Sequence, residues 1–162
     1  MSDQSVQVLF KEVRAKTLRR LRGLTSEAAL CKPPGLRNSI LWNAGHCYVI
    51  VESLLSRALG RSPNLPNGWL DMFGWRSDPG LVAPEEWPAL GMVVAALRKQ
   101  QQLFDELLAQ VDVSRLTMPV DEESSRTARY LIVHALHDEA CHSGEIWLMR
   151  KMWNAESDSQ RK

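Results

Sequence analysis

The chain predicts an all-α domain, a four-helix bundle with one long connection in its middle. Three observations carry that reading. Apolar residues recur at three- and four-residue steps in four separate stretches, no stretch alternates with the period of two that a half-buried strand needs, and turn-forming residues divide the stretches. Four amphipathic helices can bury their apolar faces only against one another. The 162 residues suit a single domain over 1–162, with a core at about 5–153 and a polar tail, expected to fray, from 154 to 162.

Val6, Phe10, Val13, Thr17, Leu21 and Leu24 set the first helix, from about Ser5 to Gly23. Arg14, Lys16, Arg19, Arg20 and Arg22 interleave with that stripe and read as its solvated face. Pro33, Pro34 and Gly35 mark a loop, after which Asn38 or Ser39 caps a second helix that runs to about Leu59 and stops at Gly60. From Ser62 to Pro84 the chain is rich in Pro, Gly and Asn and holds Trp69, Phe73 and Trp75. That is long for a connection, and it predicts a crossover loop between helices 2 and 3. Leu90, Val94, Leu97, Phe104, Leu108 and Val111 set a third helix that starts near Pro84 or Pro88. A loop at Asp112–Ser125 leads to the last helix, about Arg126 to Trp153.

The formal charge of +1 gives no reason to expect nucleic acid or an anionic membrane as partner. Apolar runs are too short to span a bilayer, and the polar Met1–Val6 segment is no signal peptide. Cys31, Cys47 and Cys141 are odd in number and widely spaced, as reduced thiols of a cytoplasmic protein are.

The most informative turn runs from His137 to His142. Asp138 and His142 stand four residues apart and share a helix face. At about 100° per residue, Leu131, Ala135, Ile146 and Met149 lie within roughly 40° of His142. A carboxylate and an imidazole are thus aimed into an apolar stripe, where an unpartnered carboxylate costs several kcal/mol. A metal ion would compensate it. His46 projects from a partly apolar face of the second helix. A lone histidine there is more often a hydrogen-bonded core residue, but the facing Asp138–His142 pair makes it the candidate third ligand. Two histidines and one carboxylate leave open positions, as catalytic zinc, nickel and non-haem iron sites do.

His137 lies roughly 140° around the helix from His142 and competes poorly, while His134, about 80° away, suits a supporting role. Glu145, about 60° from His142, is the candidate catalytic base, with a solvated pair near Met149 and Arg150 as its alternative. Cys47 and Cys141 read as packing residues, and Gly144 as a point of close helix approach. Trp42, Trp69, Phe73, Trp75 and Trp87 are either core mass or an aromatic wall beside a pocket.

With these residues in view, the chain resembles the DinB-like superfamily, the damage-inducible and YfiT-like family. The resemblance spans roughly Ser5 to Trp153. It rests on Asn-Ser-Ile-Leu-Trp-Asn-Ala-Gly-His ending at His46, on the loop from Trp69 to Pro79, and on Leu-His-Asp-Glu-Ala-Cys-His-Ser-Gly-Glu-Ile from Leu136 to Ile146. It implies a DinB-like bundle with a divalent ion, zinc or nickel, held by His46, Asp138 and His142. Many members carry histidine where this chain has Asp138, and thiol-dependent relatives such as maleylpyruvate isomerases carry glutamate. Members with an assigned reaction tend to use a low-molecular-weight thiol such as mycothiol or bacillithiol as cofactor or co-substrate.

The expected function is therefore a metal-dependent enzyme on a small-molecule substrate, either a thiol-dependent transferase or isomerase or a metal-assisted hydrolase. The alternative is a non-catalytic module that associates as a homodimer, with a vestigial metal site.

Overall fold

A computed structural model describes residues 4–160 except 122 and 124. Among these residues seven α-helices follow one another: α1 (Gln4–Leu21), α2 (Ser26–Leu30), α3 (Ile40–Ala58), α4 (Trp69–Phe73), α5 (Leu90–Gln110), α6 (Val113–Thr117) and α7 (Ala128–Gln160). A short 3₁₀ turn covers Pro84–Glu86. Among the described residues there is no strand, only one isolated bridge between Pro119 and Thr127. None of the described helices is long and apolar enough to cross a membrane.

The caps explain where the helices begin and stop. Thr25 Oγ1 accepts the Ala28 amide at 3.1 Å, and Ser39 Oγ accepts the Trp42 amide at 3.1 Å, each satisfying a donor that the first helical turn leaves free. Gly60, with φ of 69°, closes α3 in the left-handed conformation that glycine adopts without penalty. Three short elements, α2, α4 and α6, sit inside stretches expected to be loops. Each is five residues long, too short to show a helical period in sequence.

The four long helices supply most of the core, with Ala29, Trp69, Phe73 and Leu116 added from the short ones. Helix α3 packs against α7 and α5, and α1 packs against the same two from the other side. Because α3 has neighbours around it, every residue from Ile40 to Glu52 is buried. One apolar cluster gathers Ile40, Trp42, Val49, Phe73, Leu97, Ile146 and Met149. The other gathers Phe10, Leu55, Phe104, Leu131 and Leu136.

Between the two clusters lies a buried polar layer. Arg14, expected on the solvated face of α1, is instead fully buried. It grips Glu139 of α7 with Nε at 2.7 Å and Nη2 at 2.9 Å, and its remaining donors reach Leu97 O and Gln100 Oε1, both at 2.8 Å. Gln100 in turn donates to Glu52 Oε2 at 2.8 Å, and the Asn64 amide donates to Glu52 Oε1 at 2.9 Å. Every charge in the layer is therefore paired or hydrogen-bonded, which burial demands. A periodicity count assigns arginine to the wet face because it has no way to foresee Glu139 opposite.

Two further expectations change. Helix α7 continues past Trp153 to Gln160, so the stretch expected to fray is helical as far as it is described. Ala155 and Glu156 are strong helix formers, and Ser159 Oγ donates back to Ala155 O. A Cβ placed on Gly144 would meet nothing within 4 Å, so no neighbouring helix requires that glycine.

Candidate metal centre

The site is built where α3 and α7 face each other. Leu131, Ala135, Ile146 and Met149 are all buried, so the stripe expected on α7 does turn inward and carries Asp138 and His142 with it. Across from them His46 is 4 % exposed. His46, Asp138 and His142 each offer one ligand atom, and the three atoms lie within 4.8 Å of one another. Asp138 Oδ2 stands 3.4 Å from His46 Nε2 and 3.9 Å from His142 Nε2. Donors bound tetrahedrally at about 2.1 Å from one ion stand roughly 3.4 Å apart, so the spacing suits a shared cation.

The hydrogen bonds on the far side of each ring assign its tautomer. His46 Nδ1 is 2.6 Å from Phe73 O, and a carbonyl only accepts, so Nδ1 carries a proton and, in the neutral ring, Nε2 presents a lone pair. His142 Nδ1 is 2.6 Å from Asn43 Oδ1. The Asn43 amide is itself oriented, because Nδ2 donates to Ser39 O at 2.9 Å, so its oxygen must face the imidazole. In their neutral forms both histidines thus turn a bare Nε2 toward Asp138.

That leaves one carboxylate oxygen without a donor. Asp138 Oδ2 is buried and has no hydrogen-bond partner among the described residues. Burial works to raise the Asp138 pKa; when the rings are protonated, the hydrogen bond from His46 and the charge of His142 outweigh it and hold the carboxyl below its ordinary 3.8. A proton on either Nε2 or a metal cation would satisfy Oδ2. Two imidazole lone pairs and one carboxylate oxygen fit a divalent cation of the zinc or nickel type.

Trp42 shields the site: its ring stacks on His46 with centroids 4.6 Å apart and meets His142 edge-on at 5.8 Å. Its indole Nε1 donates to Ser77 Oγ at 3.0 Å, tying the α3–α5 connection to the site. Trp69 and Phe73 are buried core residues, whereas Trp75 is 55 % exposed and lines a cavity of about 820 Å³ with Leu70, Met72, Arg76 and Leu81. None of the three candidate ligands lines that cavity; Ser77, on its wall, is the link to Trp42.

The other candidates fall outside. His137 and His134 are exposed, the first 3.8 Å from Cys141 Sγ, the second stacked on Tyr130. Glu145 is half-exposed, with Oε2 3.3 Å from His142 Nδ1, and it shares that proton with Asn43. Arg150, offered as its alternative partner, donates instead to the Arg20 and Arg22 carbonyls. Sequence reasoning assigned no role to Asn43 or to the Phe73 carbonyl. An Asn three residues before a candidate ligand, inside the otherwise apolar run 40–45, was the available signal for the first; a backbone carbonyl leaves none.

With this geometry in hand, comparison with known proteins decides the family. The sequence matches the DinB superfamily over residues 9–146. The chain belongs to the DinB superfamily. A crystal structure of a conserved protein from Enterococcus faecalis shares the fold with a TM-score of 0.70 at 19% identity, over 93% of this chain and 96% of that one. No curated protein of assigned function matches. DinB proteins are commonly metal-binding, and the His46–Asp138–His142 cluster stands where α3 and α7 of this member converge.

Proposed function

We propose that His46, Asp138 and His142 bind one divalent cation, zinc or nickel, and that the protein is a cytoplasmic enzyme using it on a small molecule, as a thiol-dependent transferase or isomerase. One observation carries the reading: Asp138 Oδ2 is buried without a donor, opposite imidazoles whose Nδ1 protons are committed elsewhere and whose Nε2 atoms face it. A bound cation lowers the pKa of a thiol or water and so supplies a nucleophile at neutral pH.

The chain's own residues account for the rest. Asp138 contributes the single formal negative charge, so two neutral imidazoles and one carboxylate leave a dication one charge short of neutral, a balance that suits a thiolate. Trp42 keeps water off one face of His46, and Asn43 holds the His142 ring with its proton outward. Glu145, on the solvent side of His142, polarises that ring through Nδ1, and in a hydrolytic variant of this reading it is the base. The packing of α1, α3, α5 and α7 supports a four-helix bundle, with the α3–α5 connection as the crossover loop that walls the site.

Zinc-edge X-ray absorption, recorded with and without a low-molecular-weight thiol, tests this. A sulfur neighbour that appears on adding the thiol supports the thiol-dependent reading. A nitrogen and oxygen shell that the thiol leaves unchanged favours metal-assisted hydrolysis. A second reading, a homodimeric binding module, draws on Val8 of α1 and Met92 of α5, each 61 % exposed. Sedimentation of wild type against Val8→Glu separates the two.

A further inference from the structure

We propose that the contact between Gly45 and the Phe73 ring is a positioning device that decides which nitrogen of His46 faces the metal. The inference rests on the reading of the triad as a cation site and adds a residue pair to it. The bond from His46 Nδ1 to Phe73 O, at 2.6 Å, fixes the tautomer of the ligand. Yet that carbonyl does not belong to the long helices. It ends α4, a five-residue helix inside the connection between α3 and α5, and a loop carbonyl orients a ligand only as firmly as the loop is docked.

Gly45 is what docks it. A Cβ at Gly45 would lie 2.4 Å from Phe73 Cδ1 and Cε1 and 2.5 Å from Cγ, closer than carbon atoms approach. The ring cannot swing aside, since Trp69 and Trp87 pack on it with centroids 5.4 and 5.6 Å away and Phe73 is fully buried. Gly45 has no positive φ, so backbone conformation does not explain it. A glycine inside a helix is otherwise a liability, and here it buries no cavity and makes no turn. What it provides is room for the ring against α3, one residue before His46. The ring and the carbonyl are two ends of the same residue: the first sets position, the second uses it.

The test compares wild type with Gly45→Ala, Phe73→Ala and the double variant, using ¹⁵N histidine spectra of the metal-free proteins at pH 8 and zinc affinity by chelator competition. Wild type is expected to show His46 locked with its proton on Nδ1. Gly45→Ala is expected to mix the two tautomers at His46 and to weaken zinc about 10–100-fold. His142, held by Asn43, stays locked and serves as the internal control. Should Gly45→Ala fail to fold, Phe73→Ala removes the same contact from the loop side, with the same expected loss. Since both act through one contact, the double variant is expected to lose no more than Phe73→Ala alone. The inference is overturned by a wild-type His46 protonated on Nε2, by variants that leave tautomer and affinity unchanged, by losses that add, or by His46 and His142 loosening together. A wild-type His46 locked through Nδ1 in a protein that takes up no zinc supports the positioning contact and overturns the metal reading.

Discussion

His142 of α7 donates through Nδ1 to Asn43 Oδ1 of α3 across 2.6 Å, while the Asn43 amide is pinned to the Ser39 carbonyl one turn earlier. One polar side chain on a nearly all-buried helix thereby fixes the orientation of a ligand on another helix. Glu145 lies farther from the same proton, at 3.3 Å, and is half in solvent.

The two partners should therefore matter unequally. Asn43→Ala is expected to weaken zinc binding about 10–100-fold, as loss of a ligand's outer partner does. Glu145→Gln is expected to cost less than Asn43→Ala. Chelator competition on both variants measures the order; a larger loss in Glu145→Gln would reverse the assignment.

Asp138→Asn should separate metal binding from folding. The folded carboxyl titrates below 3.8, so its stabilising effect is present above that value and is lost as pH falls through the folded pKa. Urea unfolding of the metal-free proteins should find Asp138→Asn less stable than wild type near pH 6, with the difference shrinking as pH falls below the folded carboxyl pKa, while zinc binding is lost at neutral pH. A destabilisation that persists undiminished in acid would make Asp138 a structural residue whose charge is not what stabilises the fold.

How much of this was legible in the sequence depends on whether a residue's partner lies on its own helix. The three- and four-residue periods placed α1, α3, α5 and α7 to within a few residues, except at the N-terminus of α5 and the C-terminus of α7, because burial of a stripe imposes that period wherever the stripe is long. The facing of Asp138 and His142 followed from the same geometry. Arg14 did not, since its burial depends on Glu139 at the other end of the chain and on acceptors from α5. Nor did α4: five residues hold little more than one turn, and what matters in it is a backbone oxygen.

The buried layer gives a stability prediction. Arg14→Ala leaves the Glu139 carboxylate uncompensated in the interior and should cost about 3–5 kcal/mol in urea unfolding. Replacing both residues, Arg14→Met with Glu139→Met, should recover most of that, because two apolar side chains avoid the desolvation that one stranded charge suffers. A double variant as unstable as the single one would assign the layer a larger net stabilisation than ion pairing supplies.

Thiol reactivity offers an independent check on packing. Cys47 is fully buried, and burial pushes its pKa well above the ordinary thiol value, so the nucleophilic thiolate is scarce as well as inaccessible. Cys31 is partly buried and also raised, first by burial and then by nearby carboxylates. Alkylation of the native protein should modify exposed Cys141 first, Cys31 more slowly, and Cys47 only on unfolding. Rapid labelling of Cys47 would place α3 nearer the surface than described here.

The most direct measurement is metal content. Protein purified without chelator, and the variants His46→Ala, Asp138→Ala and His142→Ala, should be assayed by elemental analysis before and after incubation with zinc or nickel. Close to one divalent ion per wild-type chain, lost in each variant, is the predicted result. A wild-type chain that takes up no ion even when it is supplied, or variants that retain it in full, would contradict the account.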